Sequence, residues 1–89
     1  MQLLCTNRIV DRARFRAAFE ADLPRARAAG LTLVALWGDV DDPAAVHFLF
    51  DVENRGRAEA FMAAPASAAS GERAGVIGGD YHWLEPLGA

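Results

Sequence analysis

The chain has a single cysteine, Cys5, among its 89 residues. No intrachain disulfide can form, so no framework of bridges supports the fold. No apolar run approaches the roughly 20 residues needed to span a bilayer, and no membrane partner is expected. The opening MQLLCTNRIVDRARF brings charge in at once, without an apolar stretch and cleavage site, and does not read as a secretory signal. A cytoplasmic location is the expectation. Positive charge is also short: the formal net charge is −3, whereas phosphate binding needs a basic surface. Nucleic acid is therefore excluded as a partner. Arg12, Arg14, Arg16, Arg25 and Arg27 gather in or beside one helical stretch, where a solvated face accounts for them. There is no CxxC, no HExxH and no serine in a nucleophile elbow. The glycines Gly75, Gly78 and Gly79 precede a strand, so no helix N-terminus is set up to hold phosphate. No metal and no cofactor is implied.

What is present is enough for one domain spanning residues 1–89. Leu3 to Ile9 reads as a first strand. Asp11 offers a side-chain oxygen to cap a helix, and Gly30 can end it in a left-handed conformation. Between them Phe15, Ala18, Phe19, Leu23 and Ala26 recur at spacings of three and four, forming one apolar stripe. Pro24 deletes one backbone hydrogen bond within that helix and should bend it. Leu31 to Trp37 and Val46 to Val52 read as two strands joined by GDVDDPAA, whose Gly, Asp and Pro are turn formers. Asn54 can cap a second helix carrying Ala58, Phe61 and Met62 inward. Pro65 breaks it and opens a short third helix to about Arg73. Gly75, Gly78 and Gly79 read as a turn region, and Asp80 to Leu84 as the last strand.

The order β-α-β-β-α-β, with right-handed crossovers, gives a ferredoxin-like α+β fold. Its four strands form one antiparallel sheet with the helices on one face. A sheet covered on one face should show strands that alternate apolar with polar. LTLVALW does not, nor does VHFLFDV apart from His47 and Asp51, so both faces are expected to be dry. The helices cover one face. A second copy of the sheet is the simplest cover for the other, and a homodimer follows as the expectation; a chain this short gains from such extra burial.

Three stretches stand out together: ARAAG before the second strand, DDPAAVHFLFDVENRGRAEAFMAAP and the closing GVIGGDYHWLEP. In these the chain resembles the dimeric α+β barrel superfamily, specifically short bacterial cyclase-like proteins related to the antibiotic-biosynthesis monooxygenases. The likeness covers nearly the whole chain and consists mostly of packing residues, so it speaks to fold more than to function. It implies two sheets facing each other and a pocket in each subunit between sheet and helices. It also implies a range of activities: cofactor-free oxygenation, lactone isomerisation, polyketide cyclisation, haem degradation, or none assigned. Asn7 matches an asparagine that haem-degrading members carry on the first strand. Val52 stands where those members have a tryptophan, and the second helix lacks their histidine, so haem degradation is not expected.

His47 and His82 are the candidate proton carriers, because imidazole titrates near neutrality. Each is more readily a strand histidine satisfied by a backbone carbonyl or exposed at the dimer edge. Asp51 shares a strand face with His47. An unpaired carboxylate beneath apolar helices is costly, which sets His47 and Asp51 on the pocket or dimer side and the phenylalanines toward the helices. The resemblance points the other way, since its pocket aromatic aligns with Val52. Trp37 and Tyr81 are candidate substrate contacts with Asn7 and Asp51, while Trp37 is as readily an interface aromatic and Trp83 is more readily an interface or core one. Asp39, Asp41 and Asp42 lack the ligand spacing of a calcium loop and read as solvated turn residues. Cys5 reads as a small buried hydrophobe.

Three functions fit these residues. One is a cofactor-independent enzyme (cyclase, isomerase or monooxygenase-like) acting on a small aromatic or polyketide-like molecule in a dry pocket. The second is a non-catalytic dimer that binds a small molecule or serves as an accessory subunit. The third is a structural dimer whose helices dock a partner protein.

Overall fold

The computed structural model describes residues 1–88. Strand β1 (Gln2–Ile9) leads to helix α1 (Arg12–Ala28), then to the hairpin of β2 (Leu31–Gly38) and β3 (Ala45–Val52). Helices α2 (Arg55–Ala63) and α3 (Pro65–Ala74) follow, and β4 (Val76–Leu84) closes the chain. The cap residues act as their chemistry requires. The Asp11 carboxylate accepts the Arg14 backbone N–H at 2.7 Å, and the Asn54 side chain accepts that of Arg57 at 2.9 Å. Gly30, with φ of 83°, turns the chain out of α1. Pro65 ends α2 and starts α3 in the first-turn position, where its missing N–H costs nothing. Pro24 lies within α1, which runs on without a break to Ala28.

The strands form one antiparallel sheet in the order β2-β3-β1-β4, with the helices packed on one face. On β3, Val46, Phe48, Phe50 and Val52 are buried, whereas His47 and Leu49 are half-buried and Asp51 is exposed. The even-numbered side chains thus meet the helices and the odd ones turn away. On β1 the buried residues are Leu3, Cys5 and Ile9. These side chains, with Phe15 and Ala26 of α1, Ala58 of α2 and Ala74 of α3, form the core.

Two expectations are corrected. The last strand starts at Val76 rather than Asp80, because Gly78 and Gly79 lie within it, opposite Arg8 and Asn7 of β1. Only Gly75, at φ of 72°, makes the turn out of α3. The second sheet face, moreover, is mixed rather than dry. Its centre is apolar, with Leu4 paired to Leu49 and Ala35 beyond it. Around that centre stand Thr6, His47, Gln2, Asp51 and His82. Part of the continuous apolar reading of β2 comes from an irregularity: the register shifts between Leu33 and Ala35, so Val34 has no partner on β3. Val34 and Trp37 are each about half exposed, at 51% and 47%.

Candidate functional site: a phenylalanine-lined cavity between sheet and helices

A cavity of about 360 Å³ opens between the sheet and the helices. The chain has five phenylalanines, and Phe15, Phe19, Phe48, Phe50 and Phe61 all line this space. The first two come from α1, one turn apart, with ring centroids 5.2 Å apart. Phe48 and Phe50 rise from β3 and meet edge to face at 5.7 Å, and Phe19 meets Phe48 at 4.9 Å. Phe61 comes from α2, and the Arg25 guanidinium lies over its ring at 4.2 Å.

The polar groups around this apolar wall divide into those already engaged and those left over. Asp22 accepts two hydrogen bonds from Arg25, at 2.9 and 3.0 Å. Arg25 also donates to the Ser67 hydroxyl at 2.7 Å, and that hydroxyl donates to the Phe61 carbonyl oxygen. This set ties α1 to α2 and α3 and is committed to structure. The Asn7 carboxamide on β1 lines the cavity and stands outside this set. Ser70 of α3 and Tyr81 of β4 also line it. An amide of this kind carries two donors and an acceptor oxygen, so it can meet a carbonyl or a hydroxyl group of a bound molecule.

Asn7 owes its position to Gly79, its cross-strand partner on β4. A β-carbon at position 79 would lie 2.7 Å from Asn7 Oδ1 and would overlap the Thr6 carbonyl oxygen. The glycine leaves that volume to the amide. Cys5 lies beside them in the wall, and its thiol is pushed up to about 12 by burial, with the Asp80 charge adding to the effect. It stays a neutral thiol at physiological pH and is no nucleophile.

The histidines sit elsewhere. His47 turns to the opposite face of the sheet, because the alternation that sends Phe48 and Phe50 into the cavity sends His47 out of it. His82 pairs with Leu4 on that same outer face and is exposed. Neither lines the cavity. Of the six sequence-derived site residues, Asn7 and Tyr81 both line the cavity; Trp37, Asp51, His47 and His82 share the other face. Asp51 is exposed there and accepts a hydrogen bond from Gln2 at 3.1 Å.

On the outer face His47 is held at both ring nitrogens. Nε2 lies 2.8 Å from Asp39 Oδ2, and Nδ1 lies 2.9 Å from the Thr6 hydroxyl. Asp39 is held below the usual carboxylate range, first by the hydrogen bond from His47 and then by the backbone N–H of Asp41. An ionised Asp39 can only accept, which puts a hydrogen on Nε2 and leaves Nδ1 of the neutral ring to accept from Thr6. No spacing along the chain signals this link, since its members come from β1, β3 and the turn after β2. Asp39 Oδ1 also accepts the N–H groups of Asp41 and Asp42, at 2.9 and 3.1 Å, as a turn aspartate does. Among the described residues, no group of three or more histidine, cysteine or acidic side chains is placed to hold a metal ion. No described helix is long and apolar enough to cross a membrane.

No family model and no curated protein matches the chain. Solved structures share its fold. A Bordetella bronchiseptica protein provisionally described as an antibiotic biosynthesis monooxygenase superposes with a TM-score of 0.77 at 17% identity, covering 97% of this chain and 96% of its own. A Nitrosomonas europaea protein with the same provisional description gives 0.68 at 14% identity, over 98% and 99% of the two chains. An uncharacterised NIPSNAP domain protein from Burkholderia xenovorans gives 0.63 at 14% identity, over 100% and 99%. Similarity at this level establishes the ferredoxin-like fold that the sequence resemblance implied. It leaves activity to be argued from the site.

Proposed function

We propose that this chain binds a small, flat aromatic molecule in the cavity between sheet and helices and acts on it without a cofactor, in the manner of a cyclase, isomerase or monooxygenase-like enzyme. The observation carrying this reading is the composition of the wall: every phenylalanine of the chain lines it, beside the Asn7 amide. A cavity of about 360 Å³ falls in the lower part of the range for small-molecule sites, about 300–1,000 Å³. Aromatic walls favour a planar body, and Asn7 with Tyr81 would fix its oxygen substituents. In so apolar a space each of those hydrogen bonds is stronger than in water. The names of the fold neighbours, several of which refer to antibiotic biosynthesis monooxygenases, are consistent with such a ligand.

A second reading has its own support. The cavity wall holds no histidine, its thiol is neutral, Asp22 is bound to Arg25, and Asp80 is the one further carboxylate lining it. A protein with that wall has little to move protons with, which suits a non-catalytic carrier or accessory subunit. Incubating the protein aerobically with planar phenols and following product formation separates the two. Turnover lost in Asn7→Ala supports the enzyme; tight binding without turnover supports the carrier.

Self-pairing through the outer sheet face is part of the same proposal. Leu4, Leu49 and Ala35 make an apolar centre there, Trp37 and Leu84 stand exposed beside it, and β2 and β4 are edge strands. A second sheet laid across it buries the centre and protects the edges.

A further inference from the structure

The residues lining the cavity are buried or half-buried except for four consecutive ones on β4, Gly78, Gly79, Asp80 and Tyr81, which are exposed. A cavity meets solvent where its lining is exposed, so this one opens along β4, an edge strand of the sheet. Two of those four residues are glycines and put no side chain over the opening. Helix α3 packs beside β4 and bounds the opening from the other side.

On α3 the lining residues are Ser67, Ser70, Gly71 and Ala74, whose spacing of three and four places them on one face of the helix. Ser70 and Ala74 are buried, and Ser67 is tied to Arg25 and to the Phe61 carbonyl. Gly71 is half-buried, which sets it at the rim. We infer that Gly71 determines the size of ligand the cavity admits: its missing side chain keeps the passage between α3 and β4 wide enough for a planar molecule of two fused rings. The inference rests on the ligand-binding reading proposed above and names the residue that selects within it.

The usual reasons for a glycine do not apply at this position. Gly71 lies inside α3 with ordinary helical backbone, whereas the left-handed turn that ends the helix is made by Gly75. Nor does packing require it. A β-carbon at position 71 would meet nothing within 4 Å, unlike one at position 79, which would crowd Asn7 and the Thr6 carbonyl oxygen. Inside a helix a glycine is less stable than an alanine, because it loses more backbone freedom on folding. The chain therefore carries a local cost that neither conformation nor close contact explains. What the missing side chain leaves is free space at the rim of the cavity. A larger residue there would project into that space and narrow the way in, while the phenylalanine wall behind it stayed as it is.

Stopped-flow binding of 1-naphthol and of phenol to the full chain reads this directly. Gly71→Leu should slow 1-naphthol association at least about tenfold, within the range that substitutions at one site produce, and should slow phenol far less. Gly71→Ala should fall between Gly71→Leu and the natural chain. Both variants should melt higher than the natural chain, since alanine and leucine are better helix residues than glycine, so slower entry cannot be put down to lost folding. Ala69→Leu, at an exposed position of α3 that does not line the cavity, is the control and should leave both rates unchanged. Three results overturn the inference and leave the cavity reading standing: 1-naphthol entering a folded Gly71→Leu as fast as the natural chain, equal slowing of the two ligands, or equal slowing in Ala69→Leu. A natural chain that binds phenol but not 1-naphthol also overturns it. A natural chain that binds neither overturns the cavity reading as well.

Discussion

Asn7 and Gly79 face each other across β1 and β4, and the Asn7 carboxamide oxygen occupies the space that a side chain at position 79 would need. This pairing ties the sheet to the cavity, since the one polar group of β1 aimed at the helices keeps its place because β4 has no side chain there. Replacing Gly79 by alanine should cost about 1–3 kcal/mol, the usual range for overpacking. Gly78→Ala is the control, because a β-carbon at position 78 meets nothing within 4 Å. Urea denaturation should show a large shift for the first variant and less than about 0.5 kcal/mol for the second.

The phenylalanines should separate by burial. Phe48 is buried and packs against Phe15, Phe19 and Phe50, whereas Phe61 is only partly buried. Phe48→Ala should lose about 3–5 kcal/mol of stability, as large core truncations do. Phe61→Ala should lose clearly less while still enlarging the cavity, so ligand affinity should fall out of proportion to stability. Thermal unfolding and a binding titration on the same two proteins check this.

Cys5 should be silent toward thiol reagents in the folded protein. It is 7% exposed, and burial pushes its thiol up to about 12. A disulfide reagent at about pH 8 should label it only after denaturant is added. Rapid stoichiometric labelling of the native chain would contradict the packing described.

Acid should weaken the β2–β3 turn. Asp39 is lowered chiefly by His47, and Asp42 chiefly by the backbone N–H of Ala44 and then by Arg8. A carboxyl whose folded value lies below its unfolded value, about 3.9 for aspartate, adds stability above that value. The contribution disappears as pH falls through the folded value. Melting temperatures taken downward from neutrality should drop below about pH 4, and the drop should be smaller in Asp39→Asn.

Much of the fold was legible because its signals are local. Asp11 and Asn54 cap the helices they precede, Pro65 divides α2 from α3, and Gly30 ends α1. The facing of β3 followed from the cost of burying Asp51. The length of β4 did not, because Gly78 and Gly79 have no side chains to alternate and resemble a turn. The site was harder to read. Periodicity shows that Phe15 and Phe19 face inward, but not that a space remains between them and Phe48. The Thr6–His47 contact spans 41 positions, so only the strand register brings it about. Asn7 and Tyr81 line the cavity, while the two histidines lie across the sheet from it because adjacent strand residues point to opposite faces.

The central claim is that a small aromatic ligand enters between the sheet and the helices. Nitrogen-15 NMR of the labelled chain during titration with a planar phenol such as 1-naphthol tests it most directly. Saturable shifts at Asn7, Phe48, Ser70 and Gly79 are the predicted result, with their loss or weakening in Asn7→Ala. No saturable shift, or shifts confined to Thr32, His47 and Asp51 on the outer face, would contradict it.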